Sequence, residues 1–512
     1  MGHQSSNIAS SAISGIRWNY LGGVSASVCS VVFGIVLARI LGPKPFGQVI
    51  IASTIYGFLN LFVDGGFGQA LIQRANISSD DIRKTFTCQV GIGIFTTITV
   101  FLLAFQIAHQ FRDPSATRVV QAMSMIIVIQ STGLVSAALL RREMRFRVVQ
   151  YAALSSYLFG YLLVGIPLAI WGAGVWSLVL ALLSQSLLNS IILYSAVRHS
   201  LVPIFALPDR KITTFGGTIV ANNIVNWGHL NFDNIAASRL GPIALGIYGR
   251  GCNFAYQPVN TVVTGLQSVL LSSTAKVQER PRLMRDLTLA VIAIVFGVLG
   301  AAYATFALIP STTILGLYGD KWTGVIPLMV PFAIAMPFYG VHCLLGPILC
   351  GLGRPELEFW PQAISGLIGA IAYFSVVRIS LVSVAWALLF VMLLRFVMIA
   401  AFTFRLLEIS WPETAVLIAR RLGFSVIFAG AAWCLDQLLQ SLHFSPGLRL
   451  AMLGVFCASM LSWFIWYAGN IIFGRHAVRF MLRYATHLPA LYVKQLNRQA
   501  GENELVTFAH SS

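Results

Sequence analysis

Apolar runs long enough to cross a bilayer recur along the whole chain, divided by short polar clusters. Charge-free stretches run from Trp18 to Ala38, Pro45 to Val63, Thr85 to Phe111, Val119 to Leu140, Ile212 to Phe232, Gly251 to Ala275, Leu287 to Gly319, Trp322 to Gly353, Phe359 to Val377 and Leu450 to Gly474. A helical crossing needs about 20 predominantly apolar residues, so each reads as a span. Val148 to Val197 is also charge-free and holds two spans, with Trp171-Gly172-Ala173-Gly174 as the turn between them. Two further spans are interrupted, Ile379 to Phe404 by Arg395 and Thr414 to Gln440 by Arg420, Arg421 and Asp436. The pattern predicts an all-α polytopic membrane protein of about fourteen transmembrane helices.

A short motif occurs twice. Leu41-Gly42-Pro43-Lys44-Pro45-Phe46-Gly47 returns as Leu240-Gly241-Pro242-Ile243-Ala244-Leu245-Gly246, with Arg39 and Arg239 just ahead of the two copies. The interval of about 200 residues accommodates six spans and their loops, and an even number returns the chain to its starting side. The copies are therefore expected to be parallel repeats, a transporter architecture. This predicts a six-helix lobe over 1–211, a second over 212–410, two additional helices over 411–474 and a basic tail over 475–512.

Composition agrees. Of 512 residues 57% are hydrophobic and 10% charged, with a mean hydropathy of +0.79, against about 25% charged in soluble domains. The net charge of +17 has a topological cause. With the N-terminus inside, Arg17, Arg74, Arg83, Lys84, Arg141, Arg142, Arg145, Arg147, Arg198, Arg210, Lys211, Lys276, Arg280, Arg282, Arg285, Arg354 and the C-terminal arginines fall on one side. The other holds only Arg39, Lys44, Arg112, Arg118, Arg239, Lys321, Arg378 and Arg449. The bias predicts both termini in the cytoplasm. Anionic membrane lipids then account for the basic loops, and no nucleic acid is required. The first apolar stretch is a full span without a basic leader, so it is expected to be retained. Seven scattered cysteines lack metal-ligand spacing, and no cofactor is expected. No loop is long enough for a catalytic domain. No Gly-rich phosphate loop suggests ATP use.

Polar side chains inside the spans carry the candidate chemistry. Arg250, Asn253, Gln257, Asn260, Thr264 and Gln267 are spaced 3, 4, 3, 4 and 3, one face of a helix. Asn222, Asn226, His229 and Asp233 form a second such face; Ser53, Tyr56, Asn60 and Asp64 line the second span. Hydrocarbon offers these groups no hydrogen bonds, so they point to other helices or to a water-filled cavity. Isolated Ser and Asn suit helix bridging, whereas the long stripe suits a cavity wall, with Phe254 beside it facing lipid. Arg250 matches phosphate oxygens bidentately, but it also lies where an ion pair with Asp233 would form an external gate. Arg395 is either a cavity cation or a partner of backbone carbonyls. Arg39 snorkels at the outer end of its span or takes part in gating or ion coupling, and Arg17 snorkels inward or meets an anionic ligand at the cytoplasmic mouth. Asp64, ahead of Gly65-Gly66, is a cation or proton site or a satisfied acid; His229 titrates near neutral pH or is structural.

Three segments carry a resemblance: Ser14-Gly15-Ile16-Arg17-Trp18, Leu37-Ala38-Arg39-Ile40-Leu41-Gly42 with Phe46-Gly47, and Asp64 through Arg74. Together they resemble the polysaccharide flippases of the multidrug/oligosaccharidyl-lipid/polysaccharide exporter superfamily. Asn231 to Ala255, Ala275-Lys276-Val277-Gln278 and Tyr318-Gly319-Asp320-Lys321-Trp322 are similar to its colanic-acid-type members. The resemblance covers about spans one to twelve. It implies a flippase, not an enzyme, that moves an undecaprenyl-pyrophosphate-linked oligosaccharide across the bacterial inner membrane through a cationic cavity between two lobes. It also implies a polysaccharide polymerase and glycosyltransferases as neighbours, and a basic residue near position 250 of the eighth span. A cation-coupled exporter of small molecules and a non-transporting scaffold are the other readings.

Overall fold

The computed structural model describes residues 2–74, 77–206, 210–277, 281–354 and 356–484. Side chains at 2–21, 73, 210–219, 221–222, 268–269, 271–277, 281 and 468–484 lie outside the description. Among the described residues there is no strand. The long helices are α1 (Gly2–Leu41), α2 (Pro43–Asp64), α3 (Ser79–Gln110), α4 (Thr117–Arg142), α5 (Phe146–Ile170), α6 (Val175–Val197), α7 (Arg210–Ala237), α8 (Pro242–Val277), α9 (Arg282–Leu308), α10 (Met329–Gly351), α11 (Glu356–Val376), α12 (Leu381–Leu406), α13 (Trp411–Ser441) and α14 (Pro446–Tyr484). Twelve helices among the described residues are long and apolar enough to cross a membrane. α8, which carries the longest polar stripe, lies outside that set.

The chain forms two compact units, residues 1–251 with 366–384 and residues 252–365 with 385–512. In the first, α4 is the central helix and packs against α2, α3 and α6, while α1 lies along α5. Small residues let these backbones approach: a Cβ on Gly93 would come 2.7 Å from Ser131 Oγ, and one on Gly160 would come 2.5 Å from the Ala181 carbonyl oxygen. With lipid outside, close packing of this kind replaces the hydrophobic effect as the force between helices. Hydroxyls add cross-links, Thr97 donating to the Ser124 carbonyl at 3.1 Å and Ser190 to that of Ile129 at 2.9 Å. Large apolar side chains such as Phe95, Leu102 and Phe105 on α3 stay exposed, as lipid contact requires.

The glycine and proline of the duplicated motif adopt the same conformation in both copies, although a 3-10 turn, Ser238–Leu240, precedes the second. Gly42 (φ 79°, ψ −176°) and Gly241 (φ 91°, ψ 172°) occupy a region open essentially to glycine alone, and each is followed by a proline that starts a helix. Gly65 and Gly66, at φ 53° and 68°, end α2, and the chain resumes as the short helix Phe67–Gln73. Where the sequence reads one span from Leu287 to Gly319, the chain breaks: α9 ends at Leu308 and a separate helix, Pro310–Tyr318, begins with the proline.

In the second unit α9 packs on α10, α13 and α14. Its most expensive polar group is neutralised locally. Asp436 on α13, 3% exposed, pairs with Arg449 on α14 at 2.7 Å, and Thr312 donates to both carboxylate oxygens at 3.0 Å. Asp436→Leu is expected to leave Arg449 buried without its counter-ion and to lower stability by about 3–5 kcal/mol. Unfolding in detergent followed by circular dichroism checks this, and Asp436→Leu with Arg449→Met should recover most of the loss.

Candidate functional site

Two polar clusters, one in each unit, contain most of the candidate residues. The first is built on the start of α8. The Gly241-Pro242 turn aims the helix, and Gly246, Gly249 and Arg250 then follow at spacings of 3 and 1, on one side of it. Gly246 lies against the start of α2: a Cβ there would be 2.0 Å from the Pro43 carbonyl oxygen, and one on Gly47 would be 1.9 Å from that of Pro242. The contact is reciprocal, each repeat's glycine sitting on the other repeat's proline carbonyl. Gly249 sits on Ile50 of the same helix.

One turn beyond Gly246 this packing delivers Arg250 to α1. Its guanidinium fills the space over Gly34, where a Cβ would be 2.7 Å from Nη2, and its Cζ lies 5.4 Å from the centroid of the Phe46 ring. A cation over an aromatic face is attracted by the ring quadrupole. Tyr157 and Tyr161 on α5, stacked at 4.5 Å, lie within electrostatic reach of it. The sequence puts Arg250 near the outer end of its span, but α8 starts at Pro242, so the residue stands eight positions inside the helix, about 12 Å from its start.

Asp233 is also deeper than the sequence suggests, because α7 continues to Ala237. It is buried, accepts the Tyr248 hydroxyl at 3.0 Å and takes the Asn234 backbone N–H at 2.8 Å. Tyr248 and Arg250 are two positions apart on one helix and so leave it on opposite sides. His229 is buried on α7 beside Gly366 of α11. Asp64 is half-buried with its carboxylate over Gly68, and the charge of Arg141 reaches it. Arg39 is exposed at the end of α1, and the Arg17 side chain lies outside the described residues.

The second cluster belongs to the other unit. Asn253 and Asn260 are exposed and Gln257 half-buried along α8. Pro258 lies inside this helix, and next to it stands Tyr303, whose hydroxyl accepts from the Val259 N–H at 3.2 Å and donates to the Ala255 carbonyl. Asn260 accepts the Tyr339 hydroxyl at 3.1 Å, and Gln267 donates to the Cys343 carbonyl at 2.9 Å. Phe254 does not face lipid: its ring packs on Phe306 and Tyr318 at 5.1 and 6.3 Å. Arg395 on α12, 7% exposed, donates to Gln362 Oε1 on α11 at 3.2 Å. One turn back from Gln362 on the same helix stands Glu358, within electrostatic reach of Arg395. Sequence reading passed over Glu358 because a charge-free span ends before it; its i, i+4 spacing to Gln362 was the available signal.

These features define a helical membrane protein with a duplicated turn, polar helix faces and a buried arginine, Arg395, in one of its long apolar helices. The chain belongs to the polysaccharide biosynthesis protein family, whose model matches residues 36–327. It is 25% identical over 363 residues to the succinoglycan biosynthesis transport protein ExoT of Rhizobium meliloti (strain 1021), covering 70% of this chain and 73% of ExoT. It is 24% identical over 366 residues to the lipopolysaccharide biosynthesis protein WzxC of Escherichia coli (strain K12), covering 68% and 71%. Its fold matches the lipid II flippase MurJ in an inward closed conformation, with a TM-score of 0.73 and 12% identity over 89% of this chain and 100% of that one.

The reciprocal glycine contact makes a direct prediction. A methyl group at Gly47 or Gly246 meets backbone, which cannot swing aside, so each Gly→Ala change should force α2 and α8 apart and cost about 1–3 kcal/mol. Gly430→Ala, with nothing within 4 Å of the added carbon, should leave the melting temperature in detergent unchanged or raised. Equal melting temperatures for Gly47→Ala, Gly246→Ala and the parent chain would refute the contact.

Proposed function

We propose that this chain is a flippase that carries an undecaprenyl-pyrophosphate-linked oligosaccharide from the inner to the outer leaflet of the bacterial inner membrane by alternating access. The product would feed surface polysaccharide synthesis, with a polymerase and glycosyltransferases as neighbours. The family supports this reading, as do relatives whose names describe succinoglycan transport and lipopolysaccharide biosynthesis and a fold like that of a lipid II flippase. The basic-loop bias supports cytoplasmic termini, and the repeated turn supports two six-helix repeats over 1–211 and 212–410 followed by an appended pair.

The observation that carries the proposal is Arg250. A guanidinium two turns inside a spanning helix is costly to insert, by roughly 2.5–3.5 kcal/mol. Here it lies over Gly34 and against the Phe46 ring, and a planar guanidinium is the side chain that matches phosphate oxygens bidentately. Asn253, Gln257 and Asn260 continue the same face toward the glycan, and Arg17 and Arg395 are the further candidate contacts. Asp64, Asp233, His229 and Arg39 are the candidates for gating or ion coupling.

Arg250→Ala is expected to abolish export in cells that depend on this protein, with a loss of about 2–5 kcal/mol in substrate binding. Arg250→Lys should keep part of the activity, because it keeps the charge and loses the bidentate fork. Full export by well-expressed Arg250→Ala would remove it from the mechanism, and rescue of that variant by changing Asp233 would favour a gate over substrate contact.

The driving force follows from the charge carried. A pyrophosphate moving outward from a negative cytoplasm gains roughly 2.3 kcal/mol per uncompensated charge per 100 mV. Flipping in liposomes is therefore expected to accelerate under an inside-negative potential set with potassium and valinomycin at fixed pH. Equal rates at both polarities, with a proton gradient alone restoring transport, would reject voltage as the drive.

A further inference from the structure

The cluster around Arg395 differs in kind from the one around Arg250, and the difference points to its ligand. Arg395 is 7% exposed, and its Nη2 donates to Gln362; among the described residues its other four donors take no protein acceptor. The Glu358 carboxylate lies flat over Gly346 of α10, where a Cβ would be 2.5 Å from Oε1 and 2.7 Å from Oε2. Among the described residues no donor hydrogen-bonds to it and no cation approaches within ion-pair distance. A buried cation and a half-buried anion therefore face one neighbourhood without closing on each other. The Tyr339 ring stands against Tyr256 at 4.7 Å, and its hydroxyl is held by Asn260.

Such a site has no net charge and carries both donors and acceptors. A pyrophosphate placed there would meet the Glu358 carboxylate, and like charges in a low-dielectric surround repel strongly. A metal cation or an organic cation would meet Arg395 for the same reason. A neutral polyol satisfies both sides: its hydroxyls donate to the carboxylate and accept from the guanidinium, with the Tyr339 and Tyr256 rings offering apolar faces to the sugar carbons. Glycine at 346 is what makes room for the carboxylate itself.

We propose that Glu358, Arg395, Gln362 and Tyr339, with Asn260 and Tyr256, form a subsite for the neutral sugar ring of the lipid-linked substrate, with Glu358 as its specificity-determining acceptor. The proposal rests on the flippase reading above and adds to it a residue set for the glycan part of the substrate.

Binding to the full chain in lipid nanodiscs tests it, using undecaprenyl pyrophosphate and its glucosyl, galactosyl and N-acetylglucosaminyl derivatives as probes. The parent chain should bind at least one glycosylated probe more tightly than the sugar-free lipid, by about tenfold or more for a hydrogen bond to a charged group. Glu358→Gln and Tyr339→Phe should erase that preference and leave the affinity for undecaprenyl pyrophosphate at the parent value, whereas Arg250→Ala should weaken every probe alike. Equal binding of all four probes by the parent chain, or an intact preference in monodisperse Glu358→Gln, would overturn the subsite and leave the flippase reading standing. Absence of binding to any probe would overturn the flippase reading itself. Should Glu358→Gln keep the preference and lose only a pH dependence of flipping, Glu358 would be a proton carrier and the subsite would be rejected.

Discussion

Hydrocarbon returns no hydrogen bonds, and nearly every departure from plain helix in this chain answers to that fact. Backbone groups freed by a proline, and charges carried into the membrane, must find partners within the protein. Next to Pro258 in α8, Tyr303 inserts a single hydroxyl between the Val259 N–H and the Ala255 carbonyl, serving both groups. Asp436 is carried into α13, and Arg449 with Thr312 surrounds it. Arg142 on α4 donates to the carbonyls of Leu71 and Arg74, closing the end of the short helix that follows α2. In each case a polar side chain on one helix completes the backbone or charge of another, so cross-links between helices are a consequence of satisfying polar groups.

The duplicated turn shows the same economy at the level of the repeat. Gly42 and Gly241 are required by backbone angles, and the prolines after them lack an N–H that a helix start would leave unpaired in any case. Gly47 and Gly246 have another reason, since they adopt ordinary helical angles and are small because each faces the other copy's carbonyl. One seven-residue sequence thus encodes both a turn and its own complementary surface. A self-complementary contact of this type brings α8 against α2 and fixes which way the next turn of α8, and with it Arg250, must point.

Much of this was legible in the sequence because the membrane simplifies the code. Apolar length located the helices, the repeated Leu-Gly-Pro located equivalent turns, and a polar face at 3–4 spacing located the wall of α8. What escaped reading depended on neighbours. Phe254 lies off the polar stripe, yet its ring meets Phe306 and Tyr318 instead of lipid, contacts that the sequence spacing alone does not show. Glu358 fell outside a span defined by absence of charge, although α11 begins at Glu356 and takes the carboxylate inside. The run from Leu287 to Gly319 looked continuous because Pro310 is apolar, while its missing N–H ended the helix.

The disposition of acids bears on the kind of cargo. A carrier of cationic molecules needs carboxylates that remain available to them, but here Asp436 is held by Arg449, Asp233 by Tyr248 and the Asn234 N–H, and Asp113 by Gln48 and Ser115. A carboxylate committed to such partners would have to surrender them to bind a cation, and the cost of uncovering the partner would be set against the affinity gained. Arg250 lies over a glycine that makes room for it and beside the Phe46 ring, whose face attracts a cation. The anionic cargo proposed above asks no such surrender of these acids.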